Sequence, residues 1–518
     1  MMQLNSYRNE RYKSWKKKNR AQLREPAVTR MLFGTWLVIA GVLMQRLPLT
    51  DTVKRSVAYA LTGFVLIWAA RVFFARKEEK KAFVITARVK RLFAMSAIAL
   101  TLAAALSVVL AFVLLRRDVA ARGLCAGGIL MLALPPALLP PISILMTAPR
   151  ENRIAQGFVS EATDKLNSQK PIVVGITGSF GKTSFKYVLT SLLSERYNTL
   201  MTPESYNTTM GVVRTINEQL RPWHEVFVCE MGARQKGDIV EICDIVKPQY
   251  GVVTAIGSTH LETFLTEENI LNTKFELPNS LPDNGMAFLN TDSKPVRMYG
   301  YSRPCITYGL EGDPDYRASD ISYSEQGATF TLHIRSGETM RLTTRLLGRH
   351  NVLNVTGAVA VALELGVTPL QVTHALIRIQ AVPHRLEMKY SGDLIILDDA
   401  YNANPEGAAE ALVVLGSLQG RTRILLTPGI VELGASEAEE NRALGALAAL
   451  HCDHIIAVGG LAEYILQGAL STGFDRKRCV AVKNLKEAQS LLPYLTIEPA
   501  VLLLINDLAD DLELKSDS

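Results

Sequence analysis

The sequence predicts a chain in two parts, an α-helical membrane region followed by an α/β body built on parallel sheets. Three observations predict it. Four apolar runs crowd the first part of the chain, at 31–44, 56–70, 92–115 and 119–146. Basic residues concentrate at the same end. Residues 1–91 carry 20 Lys/Arg against 5 Asp/Glu, a surplus of 15, so the net charge of +6 leaves −9 for the remainder. From residue 171 onward, short β-branched runs alternate with helical stretches, the pattern of a parallel sheet covered on both faces.

The charge division excludes a uniformly basic nucleic-acid binder and suits a basic membrane-proximal head on an acidic soluble body, so no nucleic-acid partner is expected. The six cysteines, at 125, 229, 243, 305, 452 and 479, form no CxxC and no paired spacing. That speaks against a disulfide framework or a zinc site and fits a reducing cytoplasm. A chain of 518 residues has room for more than one core.

Residues 1–30 read as a basic cytoplasmic leader, whose Lys16-Lys17-Lys18 run is a solvated segment able to touch anionic lipid. Residues 31–147 read as a membrane region of about four transmembrane helices. The run at 92–115 is long enough to span alone. So is 119–146, although Arg122 lies near its start and Pro135, Pro136, Pro140 and Pro141 break or kink it. The first two runs are shorter. They read as two tilted spans joined around Pro48, with Trp36 and Trp68 in lipid-compatible stretches, and a re-entrant or buried hairpin is the alternative. A signal peptide fits poorly, because about thirty polar residues precede the first run. The segment before Met31 holds 9 Lys/Arg and the loop 71–91 holds 8, against 3 in 45–55 and 2 in 116–118. Positive-inside placement puts the N-terminus, the 71–91 loop and everything after the fourth run in the cytoplasm, as a multi-pass protein of the cytoplasmic membrane.

Residues 148–170 read as a polar linker. A strand is expected at 171–176, then a glycine turn and a helix over 184–195. Further strands are expected at 226–229, 250–255 and 286–289, and a second α/β series at 394–397, 423–426 and 454–458 follows the Pro383 region. This divides the body into a central domain, 171–386, and a C-terminal domain, 387–518.

The chemistry starts at Gly178-Ser179-Phe180-Gly181-Lys182-Thr183. A strand, a glycine turn and a helix present backbone N–H groups and a helix N-terminus to phosphate oxygens. Lys182 can reach the β- and γ-phosphates, and the Thr183 hydroxyl can hold Mg²⁺. The strict GxxxxGK[ST] spacing fails at Ile176, and a plain structural turn is the bland alternative. The central domain is thus expected to be a P-loop parallel-sheet ATPase domain and the C-terminal one a Rossmann-like α/β domain.

TGxxGK[ST] is the form this loop takes in the Mur ligases, and the resemblance extends well beyond it. The chain reads ESYNTTMG at 204–211, CEMGARQKGDI at 229–239, IGSTHLETF at 256–264 and TKFEL at 273–277. It continues with LNTD at 289–292, LLGRHNVLN at 346–354, PHRLE at 383–387 and LDDAYNANP at 397–405. Blocks in family order cover nearly everything from 171 to about 433. The YNANP and EMGA blocks look most like the branch that adds D-Ala-D-Ala to the UDP-linked muramoyl tripeptide. The resemblance implies an ATP-dependent carboxylate–amine ligase: ATP phosphorylates a carboxylate, and an amine attacks the acyl phosphate.

Carried over residue by residue, the resemblance places Gly178, Ser179, Gly181, Lys182, Thr183, Ser184, Asn290, Asp292, His350, Asn351, Asn354 and Arg385 on the nucleotide. Glu230 joins Thr183 on the ATP-bound Mg²⁺, although an acidic strand end is ordinarily just solvated. His260 and a carbamylated Lys274 hold a second Mg²⁺. An unmodified ammonium there would repel the metal, and TKFE stands where AKGE is usual. Asn351 has capping of the following helix as its alternative role. Arg385, between the domains, and Asp399, in the next block, complete the closed site around the transferring phosphoryl group, with Lys182, His260 and Lys274 as the other catalytic groups.

The chain departs from the family pattern at both ends. The membrane region occupies the place of a UDP-sugar-holding domain. Leu504-Ile505-Asn506-Asp507-Leu508 stands where a basic KGSR-like element is usual, and Thr427-Pro428-Gly429-Ile430-Val431 replaces the GDM before ELG. The expected partners are therefore a cell-envelope precursor at the membrane, an amino acid or dipeptide as the amine, and membrane lipid. A membrane-bound poly-γ-glutamate-synthase-like ligase and a non-catalytic nucleotide-binding scaffold are the alternative functions.

Overall fold

The computed structural model describes residues 86–114 and 139–506, apart from 205, 258–263, 265, 401–403, 432 and 434–435, with isolated residues before 139. The leader, the run at 56–70, most of that at 31–44 and half of that at 119–146 lie outside the described residues. The chain forms two compact units, 1–157 and 158–518. In the first, α1 (Ala87–Leu114) covers the third apolar run, and Leu102, Leu106, Val109 and Val113 along it are exposed. Among the described residues it is the one helix long and apolar enough to cross a membrane, over Val89–Leu110, by length and composition alone.

Residues 148–170, expected as a linker, are almost wholly helical. They belong to α2 (Leu139–Gln169), which runs through Pro149. The reason lies in its second half, where Ala162 and Leu166 are buried in the core of the second unit. Asn217 donates to the Phe158 carbonyl and Lys165 to the Asn217 carbonyl, tying this half down. The α/β body therefore begins before residue 171.

That body carries two sheets. The first contains β1 (Ile172–Thr177), β2 (Thr199–Met201), β3 (Val226–Glu230), β4 (Tyr250–Val253), β5 (Met286–Asn290), β6 (Cys305–Gly309), β7 (Tyr316–Ser324), β8 (Gly327–Ile334) and β9 (Thr339–Thr344), in the order β2-β3-β1-β4-β5-β6-β7-β8-β9. Pairing is parallel from β2 to β7 and antiparallel from β7 to β9. Around it lie α3 (Lys182–Leu193), α4 (Thr209–Gln219), α5 (Asp238–Val246), α6 (Glu267–Asn279), α7 (Lys294–Met298), α8 (Arg349–Glu364) and α9 (Pro369–Arg378). Successive strand residues point to opposite faces, and both faces are covered, so the strands read as unbroken apolar runs. In β1, Val174 and Ile176 enter the core beneath α3 and α8, while Val173 enters the opposite core with α2 and α5.

The second sheet contains β10 (Glu387–Ser391), β11 (Leu394–Asp399), β12 (Thr422–Thr427), β13 (His454–Val458), β14 (Cys479–Val482) and β15 (Ala500–Ile505), in the order β10-β11-β15-β12-β13-β14. Only β10 is antiparallel. The helices α10 (Pro405–Ser417), α11 (Glu437–His451), α12 (Ala462–Ser471) and α13 (Leu485–Leu495) enclose it. Every strand expected from the sequence is present. The expectation missed β2, β6, the antiparallel extension β7–β9, β10, β14 and the central β15.

Candidate active site

The strand order reverses at β1, with β3 on one side and β4 on the other. A crevice opens beyond the carboxyl ends at such a point, and the glycine turn leaves β1 there. The turn is strapped to β4: Ser179 and Phe180 N–H groups donate to the Ala255 carbonyl at 2.8 and 3.2 Å, and the Ser179 hydroxyl donates to the Gly257 carbonyl. The Thr254 hydroxyl lies 2.6 Å from the Phe180 carbonyl and 2.0 Å from where a Cβ on Gly178 (φ 152°) would stand. Gly181, at φ 80°, caps α3 and presses against Asn354, whose Oδ1 would lie 2.8 Å from a Cβ. Side chains at these two glycines would fill the cradle that phosphate oxygens need.

Lys182 opens α3, and its ammonium curls back onto the Gly178 and Ser179 carbonyls at 2.7 and 3.2 Å. Part of the side chain remains accessible, yet packing around it lowers its pKa, with Glu230 opposing the fall and Arg385 adding to it. Ser184 is buried in the first turn. The register pairs Ile176 with Glu230, which sets that carboxylate beside the turn. Its Oε1 accepts from Thr183 Oγ1 at 3.3 Å and Asn207 Nδ2 at 2.9 Å. Its Oε2 lies 3.1 Å from Lys186 Nζ but has no hydrogen-bond donor, so charge is balanced there while the lone pairs stay open. A buried carboxylate oxygen of this kind beside a threonine hydroxyl fits Mg²⁺. Among the described residues no group of three or more His, Cys, Asp or Glu could hold a metal alone. His260 lies outside the described residues.

Lys274 is only 4% exposed on α6. Its neighbours fix that helix: Phe275 stacks on Tyr299, and Glu276 accepts from the Gly237 and Val240 N–H groups at the start of α5. Burial first, then repulsion from Lys182, brings the Lys274 pKa down to about 7. Among the described residues no side chain hydrogen-bonds or ion-pairs with its ammonium.

Arg385 is held between two left-handed residues, His384 (φ 61°) and Leu386 (φ 50°). Asp398 anchors the arrangement, bonding to His384 Nδ1 at 2.9 Å, Lys389 Nζ at 2.7 Å and the Ala400 N–H. Asp399 accepts from the Leu386 N–H at 3.1 Å. The Arg385 charge is felt by Lys182, His350 and Asp399, so these groups converge. His350 stands exposed in the first turn of α8.

Two residues expected at the nucleotide, Asn351 and Asp292, also make structural bonds. The Asn351 amide donates back to the Leu347 carbonyl at 2.7 Å and does not cap α8, whose cap is Gly348. Asp292 accepts from the Leu310 and Glu311 N–H groups, and Asn290, at the end of β5, accepts from the Asp292 N–H. Sequence reasoning missed Lys186, Asn207, His384 and Asp398. Asn207 and Asp398 lie inside quoted blocks, whereas a lysine on a helix carries no signal of burial.

The sequence profile of the Mur ligase middle domain matches residues 176–362. The chain is similar to the UDP-N-acetylmuramoyl-tripeptide–D-alanyl-D-alanine ligase of Bacillus subtilis, 31% identical over 323 residues that cover 62% of this chain and 69% of that one. Its counterpart in Escherichia coli is 31% identical over 317 residues, covering 60% and 69%. Among solved structures, MurF from Acinetobacter baumannii superposes with a TM-score of 0.57 at 30% identity, covering 68% of this chain and 77% of that one. MurF ligase from Thermotoga maritima in complex with ADP gives 0.57 at 26%, covering 68% and 80%.

The half-buried Asp399 yields a prediction. Burial raises its pKa to about 6, and Asp398 adds to the rise against the Leu386 N–H and Arg385. A raised carboxyl contributes stability that is complete below the unfolded value near 3.8 and lost as pH rises through about 6. Nucleotide-free Asp399→Asn should therefore melt above wild type at neutral pH, by at most about 3 kcal/mol, and lose that advantage near pH ~4. Thermal denaturation across this window checks it, and an advantage that does not depend on pH would refute the assignment.

Proposed function

The chain belongs to the Mur ligase family and is an ATP-dependent ligase that forms amide bonds; from that premise we propose that it joins D-alanyl-D-alanine to the terminal carboxylate of a muramoyl peptide, at the cytoplasmic face of a membrane. The observation that carries this reading is the convergence of Lys182, Thr183, Glu230, Lys274, Arg385 and Asp399 on one glycine turn. Three cations facing a cradle of backbone N–H groups suit a triphosphate.

A carboxylate oxygen of the acceptor attacks the γ-phosphorus, and ADP leaves. The amine nitrogen then attacks the acyl carbon, phosphate departs, and the amine's proton passes to a base or to water. Lys182 and Arg385 place positive charge where phosphoryl oxygens gather it. Thr183 and Glu230 would hold Mg²⁺, which when bound screens the phosphate charge. His350 and Asn354 line the nucleotide side, and Ser179 and Ser184 shape the loop.

A second metal position, held by His260 and a carbamate on Lys274, belongs to the same proposal. Carbamylation requires a neutral amine, and a lysine with a pKa of about 7 supplies one at cellular pH. Membrane attachment is supported by the basic first 91 residues and by the apolar span in α1. A precursor already at the membrane, lipid-linked rather than free, suits that anchoring.

Three outcomes test these statements. Phosphate release driven by UDP-linked or lipid-linked muramoyl peptide with D-Ala-D-Ala should fall about 100-fold or more in Lys182→Ala, with circular dichroism unchanged. Undiminished release would sink the ligase reading. Lys274→Ala should be nearly inactive and partly recover with added short-chain carboxylates; full activity without them would remove the carbamate. Tags in the 71–91 loop and at the C-terminus should report cytoplasm and a tag near Asp51 the outside. A cytoplasmic Asp51 tag would rule out spans at 31–44 and 56–70.

A further inference from the structure

Lys186 stands one helical turn beyond Lys182 on α3, and its side chain has no exposed surface at all, 0%. Lysine is almost never buried this fully without a partner. The partner is Glu230, itself 2% exposed, whose Oε2 lies 3.1 Å from the ammonium. Lys186 also donates to the Glu204 carbonyl, and its ammonium sits 5.2 Å from the Tyr187 ring centroid. The other carboxylate oxygen is taken by Thr183 and Asn207. Glu230 is thus complete in charge before any metal arrives, although Oε2 still lacks a hydrogen-bond donor.

A free divalent cation entering here would meet one carboxylate, one hydroxyl and a buried ammonium at contact distance from that carboxylate. Like-charge repulsion is weakly screened where water is excluded. Lys182 adds a second cation one turn earlier on the same helix, and no further acidic cluster among the described residues offsets the pair. Nucleotide phosphates reverse the balance, because they bring several negative charges and their own oxygen ligands to the cradle.

We propose that Lys186 is a resident counter-ion for Glu230, which holds the carboxylate beside Thr183 and denies the site to free divalent cation, so that metal is taken up only together with nucleotide phosphate. Lys186 acts through Glu230 and is a positioning residue. The proposal rests on the ligase reading for the identity of the nucleotide.

The test uses Mn²⁺ as the probe, followed by the electron paramagnetic resonance signal of the unbound ion, on the full-length protein in detergent. Wild type should take up Mn²⁺ tightly with a non-hydrolysable ATP analogue and at least about tenfold more weakly without it. Lys186→Met should tighten the nucleotide-free affinity by about tenfold or more, a gain that Glu230→Gln added to it abolishes and that Lys186→Arg does not show. Wild type that binds Mn²⁺ equally well with and without the analogue would overturn the proposal, as would a Lys186→Met affinity that is unchanged or weaker. The wild-type comparison decides alone if Lys186→Met does not fold. Equal binding in both conditions would leave the ligase reading intact, whereas no uptake with the analogue would strike that reading itself.

Discussion

A carboxylate closed off from water must be met by donors and a counter-charge, and Glu230 imposes that demand at the end of β3. The demand is answered by separate parts of the chain. Thr183 and Lys186 come from α3, Asn207 from the turn before α4, and the Thr202 hydroxyl takes the Glu230 N–H at 3.1 Å. These contacts lock α3 and the segment after β2 onto β3. Because α3 begins at Lys182, they also set the exit of the glycine turn. Its entrance is set by β1 and its flank by the Ala255 carbonyl, so the loop is determined from three sides.

Positive charge accumulates at the mouth of this loop, and the protein sustains it by rigid support. Lys182, Lys274 and Arg385 act against one another, Arg385 lowering the Lys182 pKa and Lys182 that of Lys274. Lys182 is held by the Gly178 and Ser179 carbonyls, and the other two by neighbours that carry no charge. Stacking of Phe275 on Tyr299 fixes α6, and two left-handed residues fix Arg385. Cations held together this way raise the affinity for a polyanion, because binding relieves the repulsion.

The C-terminal domain enters the site at the helix that carries His350. Gly348 leaves the start of α8 without a side-chain cap, and Glu410 of α10 supplies the acceptor for the Arg349 N–H. The same carboxylate accepts from Tyr323 Oη at 2.9 Å, and Leu347 and Leu386 are buried in the C-terminal core. A carboxylate at a helix N-terminus is favoured by the helix dipole. The C-terminal domain is thereby linked to α8, to Asn354 against Gly181, and so to the glycine turn.

Much of this was legible in the sequence because the signals are local. A β-branched run, a glycine turn and GKT specify strand, loop and helix within about a dozen residues. The apolar runs at 226–229, 250–255, 394–397 and 454–458 announced buried parallel strands, and Lys182, Thr183, Glu230 and Asp399 lay in recognisable blocks. Other features depend on distant pairings. The polar stretch 148–170 became helical because Ala162 and Leu166 found a core that only the folded sheet provides. The strands β7 to β9 alternate more buried with less buried residues and gain their identity from their partners' register. Asp398 and Asp399 are adjacent in sequence, yet the pleat sends one to anchor His384 and Lys389 and the other toward Arg385. Lys186 reads as an ordinary helical lysine until β3 brings Glu230 against it. By itself the sequence determined the parallel strands around the glycine turn and the turn itself, since neighbours along the chain encode both. Only the tertiary structure decided which charges meet, because burial and pairing are properties of residues far apart in the chain.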